Sequence, residues 1–167
     1  MPFIYGFHSK TIGENYTTSG VTNTEIDFMF IKPGATRFVG LLSFRPQGKA
    51  GGLTALSGIG FRIKQWTTTA SSAGTSLASA AVNNIGPAIA ATQAAGAGAG
   101  TNAVTSGTGG PTLVGGCGCS ASGPGGWVAP NPDAPIGLDG GANKSIDVFS
   151  SAVTVSLNYE FAGEIQE

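Results

Sequence analysis

Ala152-Val153-Thr154-Val155-Ser156-Leu157-Asn158-Tyr159-Glu160-Phe161-Ala162 alternates apolar and polar side chains through its centre. In an extended chain Val153, Val155, Leu157, Tyr159 and Phe161 fall on one face, and Thr154, Ser156, Asn158 and Glu160 on the other. A period of two is the strand signal, and so clean a division suits an antiparallel strand that covers a core on one side. Residues 152–162 are therefore expected to form a strand.

Working back along the chain, the pattern recurs. Ile26, Phe28 and Phe30 share a face in residues 24–31, and Phe38, Leu42 and Phe44 continue it in residues 36–45. The turn signal Lys32-Pro33-Gly34 between them predicts a hairpin or a sharp strand corner. Residues 58–68 place Phe61 and Ile63 inward and Arg62, Lys64 and Trp66 outward. Further strands are expected at 112–121, 145–149 and 3–7, with Gly/Pro clusters at 48–52, 123–126 and 130–141 as punctuation. Nothing shows a capped apolar stripe of period 3.6. Short strands divided by turns, in a chain of 167 residues, predict a single all-β domain: a jelly-roll-like β-sandwich or barrel spanning 1–167.

Residues 70–111 break the pattern. From Ala70-Ser71-Ser72 to Ala94-Ala95-Gly96-Ala97-Gly98-Ala99-Gly100 the sequence is Gly/Ala/Ser/Thr-rich, with too little bulky apolar surface to offset the ordering of its own backbone. Alanine propensity is compatible with a short helix around 87–95. The expectation is an arm or long loop that is clamped at a subunit interface, where small side chains permit close backbone approach.

Charge points the same way. Gly, Ala, Ser and Thr make up about half of the chain, charged residues only 10%, and the net charge is −1. Residues 1–64 carry Lys10, Lys32, Arg37, Arg45, Lys49, Arg62 and Lys64 against Glu14, Glu25 and Asp27, a balance of +4. From Asp133 onward Asp133, Asp139, Asp147, Glu160, Glu164 and Glu167 stand against Lys144, a balance of −5. Between Lys64 and Asp133 lie 68 residues without a charge. A neutral chain lacks the cationic excess that holds a phosphate backbone, so no direct nucleic-acid partner is expected. The uncharged stretch lacks the run of about 20 strongly apolar residues that a membrane span needs. The N-terminus has no basic region followed by an apolar one, which predicts synthesis in the cytoplasm and no membrane partner.

Candidate chemistry is sparse. Cys117-Gly118-Cys119 puts two thiols on one strand face, but a metal site needs about four ligands and the chain's one histidine, His8, is distant in sequence. Buried free thiols are the expected reading, since a disulfide here would close a strained loop. No G-x-S-x-G elbow accompanies His8, and Gly48-Lys49-Ala50 and Gly96–Gly100 lack the remainder of a phosphate loop. No catalytic residue, metal or cofactor is expected, and the protein is read as non-enzymatic. Arg62, Lys64 and Trp66 on one strand face, Ala97 and Gly98 in the arm, and Trp127 in Gly123-Pro124-Gly125-Gly126-Trp127-Val128-Ala129-Pro130 are the candidate interface residues. For Trp127 the alternative is a core plug.

Two segments carry a resemblance: residues 60–75, where a basic strand runs into Thr/Ala/Gly-rich sequence, and residues 123–133, with their Pro-Gly-Gly-Trp loop. With the amphipathic C-terminal strand, they resemble small virion proteins of tailed bacteriophages, most of all the head decoration or cement type. That resemblance implies a β-rich, non-catalytic protein on the outer capsid surface, a homo-oligomer with a trimer favoured. Its partner would be the major capsid protein, and its role stabilisation of the shell. The competing expectation is a tail or fibre component that binds a host receptor or carbohydrate.

Overall fold

The N-terminal strand β1 (Ile4–His8) lies antiparallel to the C-terminal strand β15 (Asn158–Gln166). Inward from the two ends, β3 (Ile26–Lys32) pairs with β14 (Ile146–Ser150), and β4 (Val39–Gly48) pairs with β12 (Trp127–Val128) and β13 (Ile136–Leu138). Innermost, β5 (Gly58–Gln65) pairs with β11 (Thr112–Ser120). The chain is thus one antiparallel ribbon rolled upon itself, and the rolling sorts the pairs alternately into two sheets. The first sheet runs β12-β4-β15-β1 and the second β11-β5-β14-β3. This nested order is a jelly roll, two Greek keys facing one another as a sandwich. The sheets stay open at their edges among the described residues, so of the two predicted architectures the sandwich is present and the closed barrel is not.

The computed structural model describes residues 3–9, 16–17, 25–48, 58–77, 79–81, 91–95, 104–120, 123–131, 133, 135–151 and 158–167. The remaining strands are β2 (Tyr16–Thr17), β6 (Ser72–Ala73), β7 (Thr75–Ser76), β8 (Ser79–Ala81), β9 (Thr92–Ala95) and β10 (Val104–Thr105). No helix occurs among the described residues. Thr92–Ala95, where a helix was compatible with the sequence, is strand, because its backbone pairs with β3; residues 87–90 lie outside the described residues.

Five aromatic rings fill the space between the sheets. Phe28 and Phe61 rise from the second sheet, and Phe44, Tyr159 and Phe161 descend from the first. Their centroids lie 5.1 to 6.1 Å apart across the sandwich, mostly edge to face, the arrangement that ring quadrupoles favour. Phe7 joins this core through a gap that Gly163 leaves in β15, where a Cβ would collide with the Phe7 ring and with the Ser43 carbonyl.

The alternation read from the sequence holds where the ladders are regular and shifts at bulges. Tyr159 and Phe161 face the core as expected, and β15 extends past residue 162 to Gln166; residues 152–157 are outside the described set. In β3 a bulge opposite Val148 and Phe149 lets both Phe28 and Met29 face inward and turns Phe30 to the outer face. In β4 a bulge opposite Glu164 and Ile165 puts Val39, Leu41 and Phe44 in the core, leaving Leu42 outside that cluster and Phe38 exposed. Each bulge inserts one residue and so exchanges the faces on either side. Lys32-Pro33-Gly34 is a corner rather than a hairpin, since β3 and β4 belong to different sheets.

The Gly/Ala-rich segment is inserted at the tip of the rolled ribbon, between β5 and β11. It leaves as a narrow ladder in which Thr69 faces Thr108, and Ser72 and Ala73 face Thr105 and Val104. Its later strands reach the far side of the sandwich. There β8 extends the first sheet beyond β1, and β9 with β7 extends the second beyond β3.

Candidate functional site

On the side away from these additions, β11 ends the second sheet and β12 lies beside it on the first. β11 is nine residues long and contains neither a charge nor a proline. Those are the features that ordinarily protect an edge strand from pairing with another chain. Gly123 folds back beside Ser120, and Thr112–Cys117 has no strand paired on its outer edge among the described residues. Leu113 and Val128 stand 60% and 61% exposed on this side, more than any other large apolar side chain among the described residues. Between them the Trp127 indole closes the sandwich over Gly115, where a Cβ would lie 2.6 Å from Nε1. Trp127 is thus half-buried against the core and acts as the plug of an uncharged edge.

The outward face of β5 has a different environment. Arg62 Nη1 and Lys64 Nζ both pair with Glu25, Arg62 at 2.9 Å. The Lys64 ammonium also sits 4.4 Å from the centre of the Phe149 ring. Trp66 packs against the same ring and donates from Nε1 to Asp147 Oδ2 at 3.2 Å and to Asp27 Oδ2 at 3.5 Å. The three residues predicted as an outward patch are therefore engaged within the chain, and Trp127 lies apart from them at the β11/β12 edge. Ala97 and Gly98 lie outside the described residues.

Asp27 and Asp147 are a pair that sequence reading did not single out. Asp27 comes from β3 and Asp147 from β14, both on the outer face of the second sheet, and both are buried. Burial pushes Asp147 up to about 8, with the neighbouring Asp27 adding to the effect, and burial also raises Asp27. The cover is the base of the inserted ribbon. Ser71 Oγ donates to Asp27 Oδ2 at 3.3 Å and accepts from the Gly107 N–H at 2.8 Å. Ser145 Oγ donates to Asp147 Oδ1 and accepts from the Ser71 N–H at 3.0 Å. The available signal was an acid inside each of two apolar runs, Ile26-Asp27-Phe28 and Ile146-Asp147-Val148.

Cys117 and Cys119 face inward from β11 as free thiols, Cys119 in the core and Cys117 packed against it. Burial raises both to about 11, with Cys119 contributing to the shift of Cys117, so each thiol stays protonated and weakly nucleophilic at neutral pH. On the outer face of the first sheet, His8, Arg45, Gln47 and Glu160 border an open groove of about 470 Å³, walled on one side by Pro124 and Gly125.

No protein-family model matches the sequence, and no curated protein matches it. Among solved structures, a chain of the T13 IBDV viral particle aligns over 99% of this chain and 39% of its own length, at 10% identity and a TM-score of 0.23. A score that low carries no argument.

Proposed function

We propose that this protein is a non-enzymatic structural component of a virion, which binds the outer surface of a capsid and stabilises the shell through subunit-to-subunit packing. The observation that carries this reading is the β11/β12 edge. A long strand that ends its sheet among the described residues, carries no charge and exposes Leu113 with Val128 beside it is what a soluble monomer avoids and an assembling subunit uses. An uncharged edge also escapes the desolvation cost of burying ions at a contact. Many copies on one particle would multiply modest contacts through avidity. The resemblance of residues 60–75 and 123–133 to head decoration proteins supplies the type of assembly: a homo-oligomer, with a trimer favoured, on the major capsid protein.

Size-exclusion chromatography with light scattering on the purified chain, with and without empty capsids, tests it. Self-association or co-elution with the shell is expected, and Leu113→Lys with Val128→Lys should weaken either by ~10-fold or more. A monomer that binds no particle would sink the reading.

The groove bordered by His8, Arg45, Gln47 and Glu160 favours a second reading, a tail or fibre component that binds a receptor or carbohydrate, because convergent polar groups in a cavity of that size suit a sugar. Glycan-array binding that is lost on Arg45→Ala would favour it. An array without hits would count against it.

A further inference from the structure

The outer face of the second sheet carries two buried carboxyls and, among the described residues, no cation paired with them. Arg62 and Lys64, the basic groups on the neighbouring strand, are both turned to Glu25, and the inserted segment brings no charge of its own. Trp66 Nε1 donates to both Asp27 Oδ2 and Asp147 Oδ2, which gathers one oxygen of each carboxyl within 3.5 Å of a single N–H. Two carboxylates gathered on one donor in a buried site are costly when both carry a negative charge, and a single proton between them removes one charge and supplies a further donor.

Every other partner of this pair ties the inserted ribbon to the sheet. Ser71 and Ser106 lie on its two limbs, the Gly107 N–H holds Ser71 Oγ, and Trp66 and Ser145 mark where it crosses the ends of β5 and β14. We propose that Asp27 and Asp147 share one proton, and that this proton is the latch holding the base of the 66–111 insertion on the outer face of the second sheet. Losing it places two charges under the ribbon, and the least costly relief is to lift Trp66, Ser71 and Gly107 and admit water. The latch is closed in acid and at neutrality and opens as pH rises through the range near 8 to which Asp147 is displaced. It stands on this geometry alone, whatever the β11/β12 edge binds.

The insertion is rich in alanine and lacks Lys and Arg, so elastase rather than trypsin is the probe. The full chain is digested between pH 6.5 and 9.5, with rates normalised to the unfolded chain at each pH. Cleavage at the base of the ribbon, within 66–77 and 104–111 as mapped by mass spectrometry, should accelerate by ~10-fold or more across that range in the wild type. It should stay slow and flat in Asp147→Asn, which keeps a donor to Asp27 without the titration, and Asp27→Asn should behave alike. Equal acceleration in the wild type and both variants would overturn the proposal. So would protection restored at pH 9.5 by millimolar Ca²⁺, which would make the pair a cation site, or unfolding of both Asn variants at pH 6.5, where a neutral isostere should be accepted.

Discussion

On one side of the sandwich the sheets end in short strands contributed by the insertion, β8 of three residues beyond β1, and β9 and β7 of four and two residues beyond β3. On the other they end in β11, nine residues long, and in β12 beside it. Both sides draw on the same uncharged stretch between Lys64 and Asp133. On the first it supplies short strands that blunt edges, and on the second it supplies a long edge that, among the described residues, only a bulge at Leu113–Gly115 and the Ser120–Gly123 bridge interrupt. Low charge by itself therefore marks no surface as a contact. What distinguishes the two is the length of strand left unpaired.

The largest expected effect asks whether the two sides share one core. Phe28 touches Phe44, Phe61, Tyr159 and Phe161, so Phe28→Ala should cost ~3–5 kcal/mol. Urea melts followed separately at Trp66, near the insertion, and at Trp127, on the bare side, should shift together. Transitions that separate would split the sandwich into independent units.

A pH series should move the covered side. The protonated pair is favoured in the folded state, because the folded Asp147 is raised well above its ordinary value. The native chain then binds more protons than the unfolded one, and stability falls as pH rises between about 4 and about 8, by up to ~1.4 kcal/mol per unit for one proton. Asp147→Asn should flatten that slope in denaturant melts taken across the range. A wild-type stability independent of pH would contradict the raised pair.

Smaller effects belong to the bare side. Gly115→Ala forces a Cβ against the Trp127 indole and should destabilise by ~1–3 kcal/mol, with Trp127 emission shifting as the ring moves outward. Leu113→Lys and Val128→Lys should change stability by no more than ~0.5 kcal/mol while reducing association in light scattering. That divergence is the signature of a contact surface rather than a core. A small change is likewise expected for Arg62→Ala, whose side chain is 60% exposed and leaves Lys64 on Glu25; a loss of ~0.5 kcal/mol or less in thermal melts would fit a solvated ion pair.

Local alternation made the inward direction of Phe61, Ile63, Tyr159 and Phe161 legible, because one strand's period needs no knowledge of its neighbour. The faces of Phe30, Phe38 and Leu42 were not, since a bulge arises from two strands pairing out of step and leaves no local sign. Trp66 was visible as an outward residue, but the carboxylates it covers come from strands 120 positions apart, at Asp27 and Asp147. Trp127 could be read as plug or anchor, and its seat over Gly115, half-buried against the core, depends on β12 pairing with β4 and so left no sign in the local sequence.

The sequence by itself determined that this chain is built of strands, that an uncharged segment interrupts them, and that the C-terminal strand shows one face to a core. Each of these follows from periodicity or composition, which act over a few residues. The tertiary structure alone decided that the ribbon rolls so that the first strand meets the last, that part of the uncharged segment covers one side while β11 is left bare on the other, and that two acids meet beneath Ser71. Those outcomes depend on which distant backbones pair. The open hydrogen-bonding groups of one strand settle that against the whole of the remaining chain.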